Sequence, residues 1–282
     1  MKSIDWNGVQ IPAIGMGTWH MGSDQKTYAQ QKATLQYGIE HGATVIDTAE
    51  QYGEGDSERL VGDAISDFDR NQLFVISKFY PFHAERQQME KALDNSLQRL
   101  GTDYLDLYLY HWPGRTPLAE VVANMEAMQQ SGKIKHWGVS NFDLSDMQSL
   151  WSVPEGQNVA ANEDLYNIGS RGIDYDLLPW QRDHQIPLIA YAPVDEADSR
   201  GLDITKQRAL VEVANRHSAT PFQIMLAWSI RDGQTIAIPQ TSSEQHMQEN
   251  IDAAKIGLTN DDLQLLDSAF PKPTSKQSLD II

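Results

Sequence analysis

Apolar residues along the chain follow two rhythms that take turns. Short, nearly continuous apolar runs rich in Val, Ile, Leu and Tyr occur at IPAIGMGT (11–18), TVIDTA (44–49), LFVISK (73–78), YLDLYLYHW (104–112), HWGVSN (136–141), NVAANEDLY (158–166), PLIAYAP (187–193) and TIAIPQ (235–240). Such runs predict strands, and their continuity suits strands buried on both faces. Between them, apolar residues recur at three- and four-residue spacing over 28–41, 57–67, 85–100, 118–130 and 144–151, which predicts helices with one buried face. Gly42, Gly101 and Gly132 close several of these segments, as residues past a helix C-terminus often do. Two more helices are predicted over 205–217 and 221–231, between the seventh and eighth strands. A last pair covers 242–254 and 259–269, the second opened by a Thr-Asn-Asp-Asp cap. Near the start, SIDWNGV carries an Asn-Gly turn signal and predicts a small hairpin.

Eight strand–helix units in succession imply parallel strands joined by right-handed crossovers. The closed solution is an α/β fold, the (β/α)8 TIM barrel, here with an N-terminal β-hairpin and extra helices before the seventh barrel helix and at the C-terminus. The rival is an open doubly wound sheet. Its dinucleotide fingerprint is missing, because GMGTWHMG has only GxG and lacks the third glycine. No linker-like stretch divides the 282 residues, so one domain over 1–282 is expected.

Composition narrows the partners. A net charge of −17 opposes nucleic acid and anionic membrane surfaces, and an anionic ligand must be held by local groups working against that field. The absence of Cys excludes disulfides, thiolate metal sites and a Cys nucleophile, and fits a cytoplasmic protein. MKSIDWNGVQIP has no apolar stretch of signal-peptide length, and no apolar run approaches the ~20 residues of a membrane span. A monomer is expected.

In a barrel, reactive groups gather at the C-terminal ends of the strands. Those ends carry Thr18, Trp19 and His20, then Asp47 with Tyr52 just after, Lys78, His111 and Trp112, Ser140 and Asn141, Glu163, Tyr191, and Gln240 with Thr241. Singly each has a plain reading: Lys78 as a strand-end charge reaching water, His111 as a hydrogen-bonded core histidine, Asp47 as a cap or turn former, Tyr52 as a lid residue. Their convergence at the ends of strands two, three and four favours a shared cleft.

DTAEQYG, the SK of LFVISK, LYLYHWP, KIKHWGVSNF and AIPQTSSEQHMQEN, in this order and over essentially the whole chain, resemble the aldo-keto reductases. SRGIDYDLLPW and the short tail look most like the bacterial branch that includes methylglyoxal reductases. The resemblance implies a barrel that binds NADP(H) or NAD(H) in extended form and reduces aldehydes, ketones or dicarbonyls, with Asp47, Tyr52, Lys78 and His111 as the catalytic set and no metal. It further implies Thr18 near the ribose, Ser140 and Asn141 on the carboxamide, and Tyr191 stacked on the nicotinamide. Thr241, Glu249 and Asn250 would meet the adenosine end, and Asp47, Ala192 and Val194 complete the cofactor contacts. Trp19, His20, Tyr80, His111 and Trp112 would line an aromatic substrate mouth.

The physical logic runs beside the resemblance. Reducing a carbonyl builds charge on its oxygen, so a proton donor must meet it, and Tyr52 is the candidate. A Lys78 ammonium about 4 Å away stabilises a phenolate by ~4 kcal/mol at an effective dielectric of ~20, which predicts a lowered Tyr52 pKa. Asp47 would keep Lys78 charged, and His111 would hydrogen-bond the carbonyl oxygen.

Three positions depart from the family pattern. Gln240 stands where Lys is usual and His246 where Arg is frequent, which removes cations from the 2′-phosphate and leaves the NADP(H) preference open. Glu163 replaces the usual Gln; read as a carboxylate, it accepts from an amide NH2, cannot donate, and favours the oxidised ring. These departures leave room for an alternative, a nicotinamide-binding regulatory or sensor barrel with little turnover. A metal-dependent hydrolase ranks last, since of the eight His only His20 and His111 fall at strand ends.

Overall fold

A computed structural model describes residues 2–6, 8–194 and 203–282. Strands β1 (Ser3–Trp6) and β2 (Val9–Pro12) pair antiparallel as the expected hairpin. Asn7 of the turn signal lies outside the described residues, while Gly8 takes the left-handed φ of 85° and donates its N–H to Asp5 Oδ1 at 2.8 Å. The hairpin packs beneath the barrel: Trp6 meets Phe74, the first residue of β5 (Phe74–Phe79), edge to face at 5.1 Å.

The barrel strands are β3 (Met16–Gly17), β4 (Val45–Asp47), β5, β6 (Leu105–Tyr110), β7 (Ile134–Ser140), β8 (Asn162–Leu165), β9 (Leu188–Tyr191) and β10 (Thr235–Ala237). All neighbours pair in parallel, in chain order. The sheet closes on itself through an Ile14–Ala237 bridge, with Gly15 N–H donating to Ala237 O at 2.8 Å and Ala237 N–H to Ala13 O at 2.9 Å. The chain also comes very close at Gly17, where a Cβ would sit 2.6 Å from Ile238 O. The predicted first strand over 11–18 is therefore divided. Ile11 and Pro12 belong to the hairpin, where Ile11 faces Ile4, and only Met16–Gly17 forms the barrel strand.

Helices α1 (Tyr28–Glu40), α2 (Asp56–Ile65), α3 (Arg86–Leu100), α4 (Leu118–Gln130) and α5 (Leu144–Trp151) connect the first six barrel strands. Helix α6 (Leu177–Asp183), absent from the sequence reading, follows β8; its Pro179 lies in the first turn, where no N–H is needed. The expected pair α7 (Arg208–Arg216) and α8 (Pro221–Ser229) precedes β10, and α9 (Glu244–Ala253) and α10 (Asn260–Ala269) follow it. The predicted cap forms as a reciprocal box: Thr259 Oγ1 accepts from Asp262 N, and Asp262 Oδ2 accepts from Thr259 N. No described helix is long and apolar enough to cross a membrane.

Two apolar layers result. Ile4, Trp6, Ile14, Val45, Ile76, Leu107, Leu109, Ile189 and Ile236 fill the lumen and its floor, and a larger cluster packs strands against helices. Lumen-facing positions alternate along each strand, and the alternation decides which polar side chains reach the top.

Candidate active site

Continuing the lumen alternation by two residues turns each strand end into chemistry. Val45 leads to Asp47, Ile76 to Lys78, and Leu109, which pairs with Lys78, to His111. Asp47 ends β4, and a turn in which Tyr52 N–H donates to Ala49 O at 3.1 Å brings Tyr52 back over it, with Gly53 and Glu54 following at φ 57° and 53°. The parallel register sets these side chains at one rim.

Lys78 Nζ is the hub. It donates to Asp47 Oδ1 at 2.5 Å, to Thr48 O at 3.1 Å and to the Tyr52 hydroxyl at 3.0 Å, and lies 3.3 Å from Glu163 Oε1. Lys78 is fully buried. Burial works against its charge, but Asp47, Glu163 and Tyr52 more than offset it, so the ammonium titrates above the usual lysine range. His111 sits edge to face with Tyr52 at 5.9 Å. Burial first, then the Lys78 charge, push its imidazole down to about 2, so His111 is neutral, and its Nδ1 is buried without a partner.

Tyr52 corrects the sequence reading. Its pKa is raised above the ordinary phenol value, because burial outweighs the opposing pull of Lys78, and the Asp47 and Glu163 charges add to the rise. The ammonium alone would lower it. The hydroxyl is therefore held firmly protonated at neutral pH.

Above these groups opens a cavity of about 1090 Å³. Of the expected residues, Thr18, Trp19, His20, Asp47, Tyr52, His111, Trp112, Ser140, Asn141, Glu163, Tyr191, Ala192, Val194 and Gln240 line it, with Lys78 directly beneath. Several are tied to one another. Thr18 Oγ1 donates to Asp47 O at 2.8 Å, Ser140 Oγ to Glu163 O at 2.9 Å, Asn141 Nδ2 to His111 O at 3.0 Å, and the Tyr191 hydroxyl to Asn141 Oδ1 at 2.8 Å. Asn141 and Ala192 hold left-handed backbone at φ 58° and 45°, a strain that clusters at binding sites. Trp19 and His20 stack at 4.2 Å.

Besides Lys78, five expected residues do not line the cavity. Tyr80 stands behind Trp112, edge to face at 5.9 Å, and stacks on Phe82. Thr241, His246, Glu249 and Asn250 lie beyond the rim, at the start of α9 and along it. There Thr241 Oγ1 accepts from Ser243 N, Ser243 Oγ caps the helix by accepting from His246 N, and Glu249 pairs with Gln245. Gln240 is engaged on its own chain, its Oε1 accepting His20 N–H at 3.2 Å.

Other lining residues were missed. Asp143 and Asp146 read in sequence as a helix start, and they do form the α5 capping box, yet they also face the cavity. Phe222 opens α8 with its ring exposed beside it. Leu279, Ile281 and Ile282 reach it because the tail is pinned, with the Ser170 hydroxyl bonded to Asp280 and Lys276 paired with Asp143 and Asp176. The SRGID segment offered a signal: its Arg171 bonds Asp174, Asp267 and Phe270 O.

The cavity suits an extended, polar-ended ligand such as a nicotinamide nucleotide. It is at the upper end of small-molecule sites in volume, offers the flat Tyr191 ring, and presents two orphaned buried polar atoms, His111 Nδ1 and Glu163 Oε2, beside the Ser140–Asn141 network. Among the described residues, no group of three or more His, Cys, Asp or Glu side chains is placed to hold a metal.

Comparison with known proteins agrees with this geometry. The aldo/keto reductase family profile matches residues 13–270. Methylglyoxal reductase YeaE of Escherichia coli strain K12 is 43% identical over 282 residues, covering 100% of this chain and 99% of that protein. A crystal structure of an aldo/keto reductase from Klebsiella pneumoniae in complex with NADP and acetate superposes with a TM-score of 0.97 at 43% identity, covering 100% of this chain and 99% of that one. A second from the same organism, in complex with NADPH, gives 0.95 at 44% identity with the same coverage. The barrel with its hairpin, the buried strand-end cluster and these likenesses agree: the chain belongs to the aldo/keto reductase family and is an oxidoreductase.

Proposed function

We propose that the protein reduces small aldehydes, ketones and dicarbonyls of the methylglyoxal type to alcohols, using NADP(H), with Tyr52 as the proton donor. The observation that carries the reading is the Tyr52 hydroxyl, open to the cavity on one side and held 3.0 Å from Lys78 Nζ on the other. The bound nicotinamide supplies the hydride that becomes the new C–H bond at the carbonyl carbon.

The chain's own residues do the rest. Neutral His111 hydrogen-bonds the carbonyl oxygen and orients it toward Tyr52. As charge builds there, the Tyr52 O–H breaks and its proton forms the alcohol O–H. The phenolate left behind faces the Lys78 ammonium, and Asp47 keeps that ammonium in place. Ser140, Asn141 and Glu163 are positioned for a carboxamide, and Tyr191 for one face of the ring. Trp19, His20 and Trp112 exclude water from the mouth and favour compact substrates. The far end of the cofactor would run past Gln240 toward Thr241, His246, Glu249 and Asn250. Complexes of the two Klebsiella relatives with NADP and NADPH support the choice of cofactor. Gln240 and His246 supply no permanent cation there, so the preference over NADH is expected to be modest. The same reading takes residues 1–282 as one monomeric, cytoplasmic enzyme.

The test is absorbance at 340 nm with NADPH and with NADH, methylglyoxal as substrate, run beside Tyr52→Phe. Turnover lost in the variant supports the reading. No turnover with either cofactor across an aldehyde panel overturns it in favour of a regulatory barrel.

A further inference from the structure

We propose that Glu163 is a carboxylic acid in the working protein, sharing its proton with Asp47, so that the site beneath Tyr52 holds one ammonium, one carboxylate and one neutral acid. Asp47 and Glu163 both converge on Lys78 Nζ, at 2.5 and 3.3 Å, and none of the three side chains is more than 3% exposed. Two carboxylates on one ammonium would leave a net negative charge in a lumen floored by Ile76, Leu109 and Ile189, and an uncompensated buried charge is removed by taking up a proton.

Geometry places that proton. Asp47 holds the shorter bond to Lys78, while Glu163 Oε2 is buried with no donor in reach. The groups facing Glu163 are Asp47 from β4, Lys78 from β5, Tyr52, and Tyr191 from β9. Ser140 and Asn141, at the end of β7, donate to its backbone carbonyl and not to its carboxyl. Asp47 and Glu163 are within hydrogen-bond reach of each other, which two ionised carboxylates do not tolerate and an acid–carboxylate pair prefers. Burial, and then the Asp47 charge, push the Glu163 carboxyl well above the usual glutamate range.

The assignment reverses the reading of Glu163 as a charged carboxylate. With its O–H given to Asp47, the neutral carboxyl meets a cofactor amide through its lone pairs and carries no charge that favours an oxidised ring. It also leaves the Lys78 charge undivided between two anions when Tyr52 gives up its proton. The consequence for the cofactor rests on the function proposed above; the protonation itself does not.

Infrared spectroscopy of the full chain near neutral pH, without cofactor, reads the proton directly. The expected result is a protonated-carboxyl C=O band that moves when the glutamate carboxyls carry carbon-13 and is lost in Glu163→Gln. Asp164, buried with both oxygens unpartnered and raised well above the aspartate range, contributes a band that moves with labelled aspartate instead. In Asp47→Asn, Glu163 becomes the sole anionic partner of Lys78, ionises, and its band is lost; this variant serves if Glu163→Gln does not fold. A protein in which only the aspartate label moves such a band overturns the proposal, as does a glutamate-sensitive band that survives in Glu163→Gln. Absence of carbonyl reduction would leave the band in place, so the two failures are separable.

Discussion

The Tyr52 hydroxyl and the Lys78 ammonium are 3.0 Å apart, and both side chains are buried. The cation thus sits where a phenolate would form, while burial keeps the phenol protonated until it does. Tyr52→Phe should lower kcat for carbonyl reduction by about 10²- to 10⁴-fold, the usual contribution of general acid catalysis. Cofactor affinity, followed by quenching of tryptophan fluorescence, should change little, because the ring and its packing remain.

Lys78→Met removes the ammonium and leaves Asp47 buried without its partner. Breaking a buried pair in this way costs about 3–5 kcal/mol, to be seen as a lower urea midpoint. Adding Asp47→Asn should restore much of the loss, since no uncompensated charge then stays behind. An additive cycle would show that the two side chains do not depend on one another.

Two buried groups should give opposite pH slopes to stability. His111 titrates near 2 in the folded chain, against about 6.5 unfolded, so below 6.5 the unfolded chain binds the extra proton. Its contribution is complete above 6.5 and falls as pH drops, by at most about 1.4 kcal/mol per pH unit. Glu163 acts the other way: its folded pKa is raised, so from about pH 4.3 upward the unfolded chain releases the proton first and stability declines. Glu163→Gln should remove that decline, and urea midpoints of the two proteins should diverge as pH rises from 4 to 8.

How much of this was legible in the sequence follows from what each feature depends on. Asp47, Lys78 and His111 could be found because each stands at the end of a predicted strand, where a barrel gathers its reactive groups, and within motifs that resemble the family. The β3 boundary could not, because Ile11 and Pro12 are apolar and suit either the hairpin or the barrel. Helix α6 was hidden by Pro179, which reads as a breaker until its place in the first turn is known. The protonation states of Tyr52 and Glu163 depend on burial summed over several strands, a quantity no local pattern contains. Leu279, Ile281 and Ile282 reach the cavity through long-range anchors such as Asp280 at Ser170, a contact between positions 110 residues apart.

Gln240→Lys would supply the cation usual in the family. The charge-assisted contact should tighten NADPH by about tenfold or more and leave NADH nearly unchanged, measured as separate Kd values. Because Gln240 Oε1 also holds His20 N–H, the same change should loosen the turn after β3 and raise KM for the carbonyl substrate.

The seam that closes the barrel rests on the single Ile14–Ala237 bridge beside the short strands β3 and β10, and at Gly17 a Cβ would sit 2.6 Å from Ile238 O, which leaves no room for a methyl group. Thr18 and Gln240 lie just past that seam, one on each side, and both face the cavity. A nucleotide touching both therefore spans the joint like a rivet, and its binding energy adds to the cohesion of the closed form. The same joint explains why a side chain at position 17 would do harm out of proportion to its size: by prying the two walls apart, it would unmake the cavity and the barrel together.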